Sequence, residues 1–179
     1  MAIMALRYFT RRRIRRCIQH GKTPALQSLD EAESLIFLTN IQGKEAVLLL
    51  NHLQTRFQQA ETITLINLSK EKKLTALRDE HRSLIEVGTN NLNFFGGMSK
   101  SLQELIKSVG ADVLINTDPY SSDLLHLIAA NLHTNMKIGM YYPFDLPLYN
   151  PLITPNADQS PEAFIDTVNT YLRSLTGKK

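Results

Sequence analysis

Cysteine is nearly absent from this chain: Cys17 is the only one among 179 residues. One thiol closes no internal disulfide, and it excludes every metal site built from several cysteines. That usage fits a reducing, cytoplasmic compartment. A domain of this length buries about 70% of the surface its unfolded chain exposes, so it needs no cross-link to be stable. Long apolar runs are missing too. None approaches the roughly 20 residues that a membrane-spanning helix requires. The first residues carry no continuous apolar core after their charges, so a secretory signal is not expected. There is no internal repeat and no low-complexity tract.

Acid is missing from the start of the chain. Residues 1–22 carry Arg7, Arg11, Arg12, Arg13, Arg15, Arg16 and Lys22 without one Asp or Glu, a charge of +7. The whole chain has 20 basic and 17 acidic residues, a net charge of +3; the remainder therefore holds 13 basic against 17 acidic residues, or −4. The basic character is a terminal feature. The rest of the chain is mildly acidic and gives no reason to expect nucleic acid on its surface.

Catalytic and metal signatures are missing as well. The histidines are His20, His52, His81, His126 and His133. No His-x-x-x-His pair exists, and His126 and His133 sit two turns apart on one helical face, so neither zinc nor any other cofactor is implied. No Gly-x-Ser-x-Gly elbow occurs, and no serine–histidine spacing suggests a triad. Gly43-Lys44 follows a strand, but the rest of a phosphate loop is absent and Glu45 stands where the hydroxyl belongs. A tight turn accounts for Gly43; anion binding at the helix start is the alternative. Asp118 and Asp123 flank a Pro turn. Paired carboxylates can do acid–base work, yet a turn residue and a first-turn charge are the plainer readings. Cys17 lies among arginines, which favour its thiolate, or it simply packs. Phe94-Phe95-Gly96-Gly97 either displays aromatics at a loop or anchors them in the core, the plainer reading.

What is present is periodicity. Ile3, Leu6, Thr10, Ile14, Cys17 and Ile18 form a helical stripe, with Arg11, Arg12, Arg15 and Arg16 on the other side and Gly21 as a stop. This basic amphipathic helix, residues 1–22, either packs on the domain or on a second copy, or meets an anionic membrane, or meets phosphate or nucleic acid; a mitochondrial transit peptide ranks last. Residues 23–179 read as one α/β domain. Strands are expected at Ser34–Asn40, Glu61–Leu68, Ser83–Val87, Asp112–Asn116 and from Met136 to Tyr141, with helices from Ala46 to Phe57, Ser99 to Val109, and from Ser121–Ser122 to Leu132. Lys70–Arg82 reads as a loop with a short helix. Residues 142–161 form a Pro-rich loop, and a last helix spans 161–175, capped by Ser160. Strands alternating with helices predict a three-layer, Rossmann-like sheet of about five mostly parallel strands in the order 3-2-1-4-5, with helices on both faces. A ligand site, if there is one, lies beyond strands 1 and 4, where Asn40, Gly43 and Lys44 face Asp118, Ser121 and Ser122.

The turn Asn40-Ile41-Gln42-Gly43-Lys44, the strand Ala111–Asn116, the small residues Ala129 and Ala130, and Lys137-Ile138-Gly139-Met140 resemble one half of a known architecture. It is the N-terminal domain of GT-B glycosyltransferases of the heptosyltransferase kind (family 9), matched from about Ser34 to Tyr142. The whole chain resembles a short bacterial family of unknown function. In heptosyltransferases an acidic residue after the first-turn glycine is the general base. Lys44 stands there instead, and Glu45 points about 100° away on the helix. The resemblance also implies a second, nucleotide-holding domain, for which too little chain follows Tyr142. It therefore implies a structural cousin and not an activity. The expected function is a non-catalytic cytoplasmic binding or interaction domain. It would self-associate or touch an anionic membrane through Arg11, Arg12, Arg15 and Arg16, peripherally in the membrane case. The alternative is a minimal sugar- or nucleotide-directed transferase or hydrolase, with Asp118 or Glu45 as base.

Overall fold

Alternating side chains along each strand build two cores. Leu35 and Phe37 enter one, Ile36 and Leu38 the other, because successive strand residues leave opposite faces of a sheet. The computed structural model describes residues 2–18, 27–69, 75–140, 148–155 and 159–177. The strands are β1 (Ser34–Thr39), β2 (Thr62–Leu68), β3 (Thr75–Arg78), β4 (Arg82–Val87), β5 (Ala111–Asn116), β6 (Thr134–Met140) and β7 (Leu152–Ile153). The helices are α1 (Ala2–Ile18), α2 (Gly43–Arg56), α3 (Lys100–Lys107), α4 (Asp123–Asn131) and α5 (Pro161–Leu175). Residues of α2 and α5 fill the first core, and residues of α1, α3 and α4 the second. Helices thus cover both faces, as a mostly parallel sheet requires.

The sheet has seven strands in the order β3-β4-β2-β1-β5-β6-β7. Every neighbouring pair is parallel except β3 and β4. The five strands expected from the sequence are the central five, in the expected order. The count of five is corrected to seven. β3 falls inside the segment read as a loop with a short helix. It pairs Thr75 with Glu86 through Arg78 with Ser83, and all four of its residues are exposed, so no buried side chain marks it as a strand. Residues 70–74 of that segment lie outside the described ones. β7 falls inside the Pro-rich stretch. Proline has no N–H, but at an edge its carbonyl still serves: Pro151 accepts from Gly139 N–H at 3.4 Å. Residues 141–147 and 156–158 lie outside the described part.

Local chemistry explains several boundaries. Ser99 Oγ accepts from Leu102 N–H, and Ser160 Oγ from Ala163 N–H, both at 3.3 Å; each satisfies an amide that its helix leaves unpaired. At the opposite end of the sheet, Asp112 Oδ2 accepts from Glu33 N–H, Ser34 N–H and Ser34 Oγ at 3.0–3.1 Å. That carboxylate ties the start of β1 to β5.

The basic helix α1 lies on α4. Thr10 and Ile14 are buried there, while Cys17 is exposed, contrary to its expected place in the apolar stripe. The side chains of Ile3, Leu6 and Ile18 lie outside the described ones. Arg7 Nε and Arg11 Nε each reach Asp123 at 3.1 Å. Asp123 is a first-turn residue of α4, so its carboxylate meets a favourable helix end as well as two guanidinium groups.

Candidate functional site

Because α2 and α4 lie on opposite faces, the chain diverges between β1 and β5. The crevice beyond their carboxyl ends is the place where such sheets hold ligands. The loop after β1 is tied down by the fold. Asn67 donates to Ile41 O and accepts from Ile41 N–H, both at 3.1 Å. Gln42 N–H donates to Glu45 Oε2 at 3.2 Å, so Glu45 closes the first turn of α2. Gly43 and Lys44 are exposed and Asn40 is half-buried. A Cβ at Gly43 would stand 3.4 Å from Glu86 Oε1. The amino end of α2 therefore faces two of the chain's own carboxylates, Glu45 and Glu86, which repel a further anion.

The loop after β5 begins buried, at Thr117 and Asp118, and is densely bonded. Thr117 N–H and Oγ1 both donate to Leu38 O, at 2.8 and 3.0 Å. Asp118 accepts from Tyr120 N–H at 2.9 Å and from Ser122 N–H at 2.6 Å. Ser122 makes no side-chain cap; Asp118 shapes the turn into α4 instead, as an Asp before a turn can. Ser121 sits at φ 52°, in the left-handed region that non-glycine residues seldom adopt. Its Oγ is 2.9 Å from His126 Nε2. His126 Nδ1 is 2.8 Å from Tyr149 Oη, and Asn116 Nδ2 donates to the same oxygen at 2.7 Å. Asn116 Oδ1 accepts from Asp118 N–H at 3.0 Å, which fixes the orientation of the amide. Burial holds His126 below the usual histidine range, against the pull of Asp118 and Asp123, and Arg11 lowers it further. The ring is neutral near pH 7.

A neutral imidazole bonded to a serine has the geometry of a nucleophile and its base. The surroundings do not complete it. The Tyr120 and Ser122 amides beside Ser121 both point at Asp118, so neither is available to a developing oxyanion. What the chain of bonds does plainly is fasten Tyr149 to β5 and α4. The ring presses on β6 as well: a Cβ at Gly139 would stand 2.6 Å from Tyr149 Cγ.

The outer side of α1 is a different kind of surface. At about 100° per residue, Arg12 and Arg16 fall opposite the buried Thr10–Ile14 side, with Tyr8, Phe9 and Arg15 around them. Tyr8 is 64% and Phe9 41% exposed, with rings edge to face at 5.7 Å. Arg12, Arg15 and Arg16 are exposed and, among the described residues, form no ion pair. Arg11, expected on this surface, is turned towards Asp123 instead. The structure thus brings Asp118, Ser121 and Ser122 together, leaves Gly43 and Lys44 exposed at the start of α2, and gathers three of the four expected arginines on the outside of α1.

The profile of one family matches residues 7–175, nearly the whole chain. The chain belongs to DUF6913, a family of unknown function. No curated protein and no solved structure matches it, so the likeness to heptosyltransferases gains no support from these comparisons.

Two features of this DUF6913 chain escape sequence reasoning. Tyr149 lies 23 residues beyond His126 in a Pro-rich stretch, where nothing in the pattern points it inward. Phe94 and Phe95 are exposed, at 88% and 64%, and do not anchor the core; the Asn and Gly residues around them were the available signal for a displayed turn. Among the described residues, no three His, Cys, Asp or Glu side chains converge to hold a metal ion, and no helix is long and apolar enough to cross a membrane.

Proposed function

We propose that this DUF6913 chain is a non-catalytic binding module that engages an anionic surface through the outward side of α1, in a reducing, cytoplasmic setting. The observation that carries the reading is the division of labour on that helix. Thr10, Ile14, Arg7 and Arg11 face the domain, and Asp123 pairs with both inner arginines, offsetting one of their two charges. Arg12, Arg15 and Arg16 remain outside, on the one strongly basic stretch of a chain that is otherwise acidic. Arginines without an ion pair among the described residues, gathered on a docked helix, attract anions at long range. Self-association through that side would set like charges against each other, which weighs against a symmetric dimer there.

The reading is tested by sedimentation at low salt with vesicles of phosphatidylcholine alone and of phosphatidylcholine mixed equally with phosphatidylglycerol. Binding to the anionic vesicles only, weakened by added salt, is the expected result. Absence from both pellets overturns the reading.

A second reading, the minimal transferase or hydrolase, is favoured by the 2.9 Å contact between Ser121 Oγ and His126 Nε2 at a strained residue. A thermal-shift screen of nucleotides, nucleotide sugars and sugar phosphates discriminates it, since a ligand of the folded state raises the melting point. Kinship with half of a GT-B enzyme would be one of descent, resting on the order of the central strands.

A further inference from the structure

We propose that the Asn93–Gly97 turn is an aromatic wedge that enters a phospholipid bilayer beside α1, so that the anionic surface is a membrane and not a soluble polyanion. This rests on the reading of α1 given above and adds the partner's chemistry. Phe94 and Phe95 stand edge to face, centroids 5.5 Å apart, and are among the most exposed large apolar residues of the chain. Single exposed apolar side chains are ordinary, but two adjacent phenylalanines on one turn form a patch.

The turn displays them rigidly. Asn93 Oδ1 accepts from Phe95 N–H at 3.0 Å and from Gly97 N–H at 2.9 Å. Asn93 N–H donates to Gly97 O at 2.6 Å, and Gly96 N–H donates to Asn93 O at 2.9 Å. Gly96 takes φ 68°, which glycine adopts without strain. The base is clamped by an antiparallel bridge from Leu92 to the buried Met98. A turn whose backbone is held in this way loses little backbone freedom when its rings enter another phase.

The wedge lies next to the basic side of α1. A Cβ at Gly97 would stand 3.1 Å from Arg13 Cζ, so the turn flanks the helix there. By helix geometry Phe9 and Arg16 lie about 40–60° from Arg13, on the side away from Ile14. The turn that carries Phe94 and Phe95 thus adjoins the flank of α1 on which Phe9, Arg13 and Arg16 lie. Guanidinium groups beside protruding rings suit an interface where phosphate lies over hydrocarbon. Thr10 and Ile14 of the α1 stripe are not available for this purpose, because they are buried in the domain; the turn supplies an apolar component.

The chain contains no tryptophan, so Phe95→Trp in the full chain installs a sole indole at the tip. With vesicles of equal phosphatidylcholine and phosphatidylglycerol, its emission shifts to the blue and brominated acyl chains quench it. Phe94→Ser/Phe95→Ser keeps the wild-type melting point, since neither ring is in the core, and partitions about ten- to a hundredfold more weakly, as expected for withdrawing one or two phenyl rings from an apolar phase. If the protein sediments with the vesicles while the indole emission stays unchanged, the wedge is wrong and the α1 reading stands. If it sediments with no vesicle, both are wrong. If a single-stranded oligonucleotide binds and vesicles do not, the partner is nucleic acid and the wedge is again overturned.

Discussion

Changing Tyr149 to Phe removes one oxygen and almost nothing else. That oxygen accepts from Asn116 Nδ2 at 2.7 Å and meets His126 Nδ1 at 2.8 Å. Asn116 is 1%, His126 4% and Tyr149 6% exposed, so both nitrogens lose the Tyr149 oxygen where bulk water does not reach. Losing a buried hydrogen bond in this way costs about 1–3 kcal/mol, and two such losses cost on the order of 2–6 kcal/mol. In a chain of this size each kcal/mol moves the melting point by about 2–4 °C, so the variant should melt roughly 4–24 °C lower. Urea unfolding followed by circular dichroism at neutral pH measures the loss directly. The m-value should not change, because the same surface is exposed on unfolding. In a double-mutant cycle with Asn116→Ala, the pair should couple by about 0.5–3 kcal/mol. A loss below about 0.5 kcal/mol, the size of an ordinary surface substitution, would refute the reasoning, because Oη could not then be the shared partner of two buried nitrogens.

Gly139→Ala tests the same region from β6. The added methyl carbon would stand 2.6–3.0 Å from three ring atoms of Tyr149, and such overpacking should cost about 1–3 kcal/mol in unfolding free energy; wild-type stability would mean that the ring does not rest on that strand. His126 makes stability depend on pH. Its folded pKa lies below the unfolded value, so the unfolded chain binds the proton first, and stability should decline as the pH falls below about 6.5. The added slope is at most about 1.4 kcal/mol per pH unit, and His126→Gln should remove it; equal slopes in both proteins would contradict the assignment. Asp123→Asn takes the charge that faces Arg7 and Arg11. The guanidinium groups are partly exposed, so after solvent screening the loss should be about 0.5–1 kcal/mol and should shrink in high salt; a loss unaffected by salt would mean that the pair is not electrostatic.

The central sheet was legible because its strands carry their own evidence. Leu35–Thr39, Ile63–Ile66 and Val113–Ile115 are apolar or β-branched runs, buried throughout, and parallel strands covered on both faces look like that in any sequence. The helix starts at Ser99 and Ser160 were legible because capping is local. The edges were not. β3 is held by a short hairpin to β4, the next strand, and β7 by two residues against β6; neither strand buries a row of side chains of its own, so neither leaves a periodic trace. The site divides in the same way. Asp118 as a turn-former, with the amides of Tyr120 and Ser122 on its carboxylate, is local chemistry, but the link from Asn116 through Tyr149 to His126 is tertiary. Arg11 shows the limit on a helix. Its position in the wheel placed it with Arg12, and only the docking of α1 on α4, beside Asp123, separates the two.

The most direct test of the central claim compares vesicle partition at low salt for the wild-type chain and for Arg12→Ala/Arg15→Ala/Arg16→Ala. Each arginine near an anionic bilayer contributes about 1 kcal/mol, so removing three should weaken partition about a hundredfold. The matching triple lysine variant, which keeps the charge, should bind nearly as the wild type does. Equal partition by the wild type and the alanine variant would show that the outer side of α1 is solvated surface and not a contact.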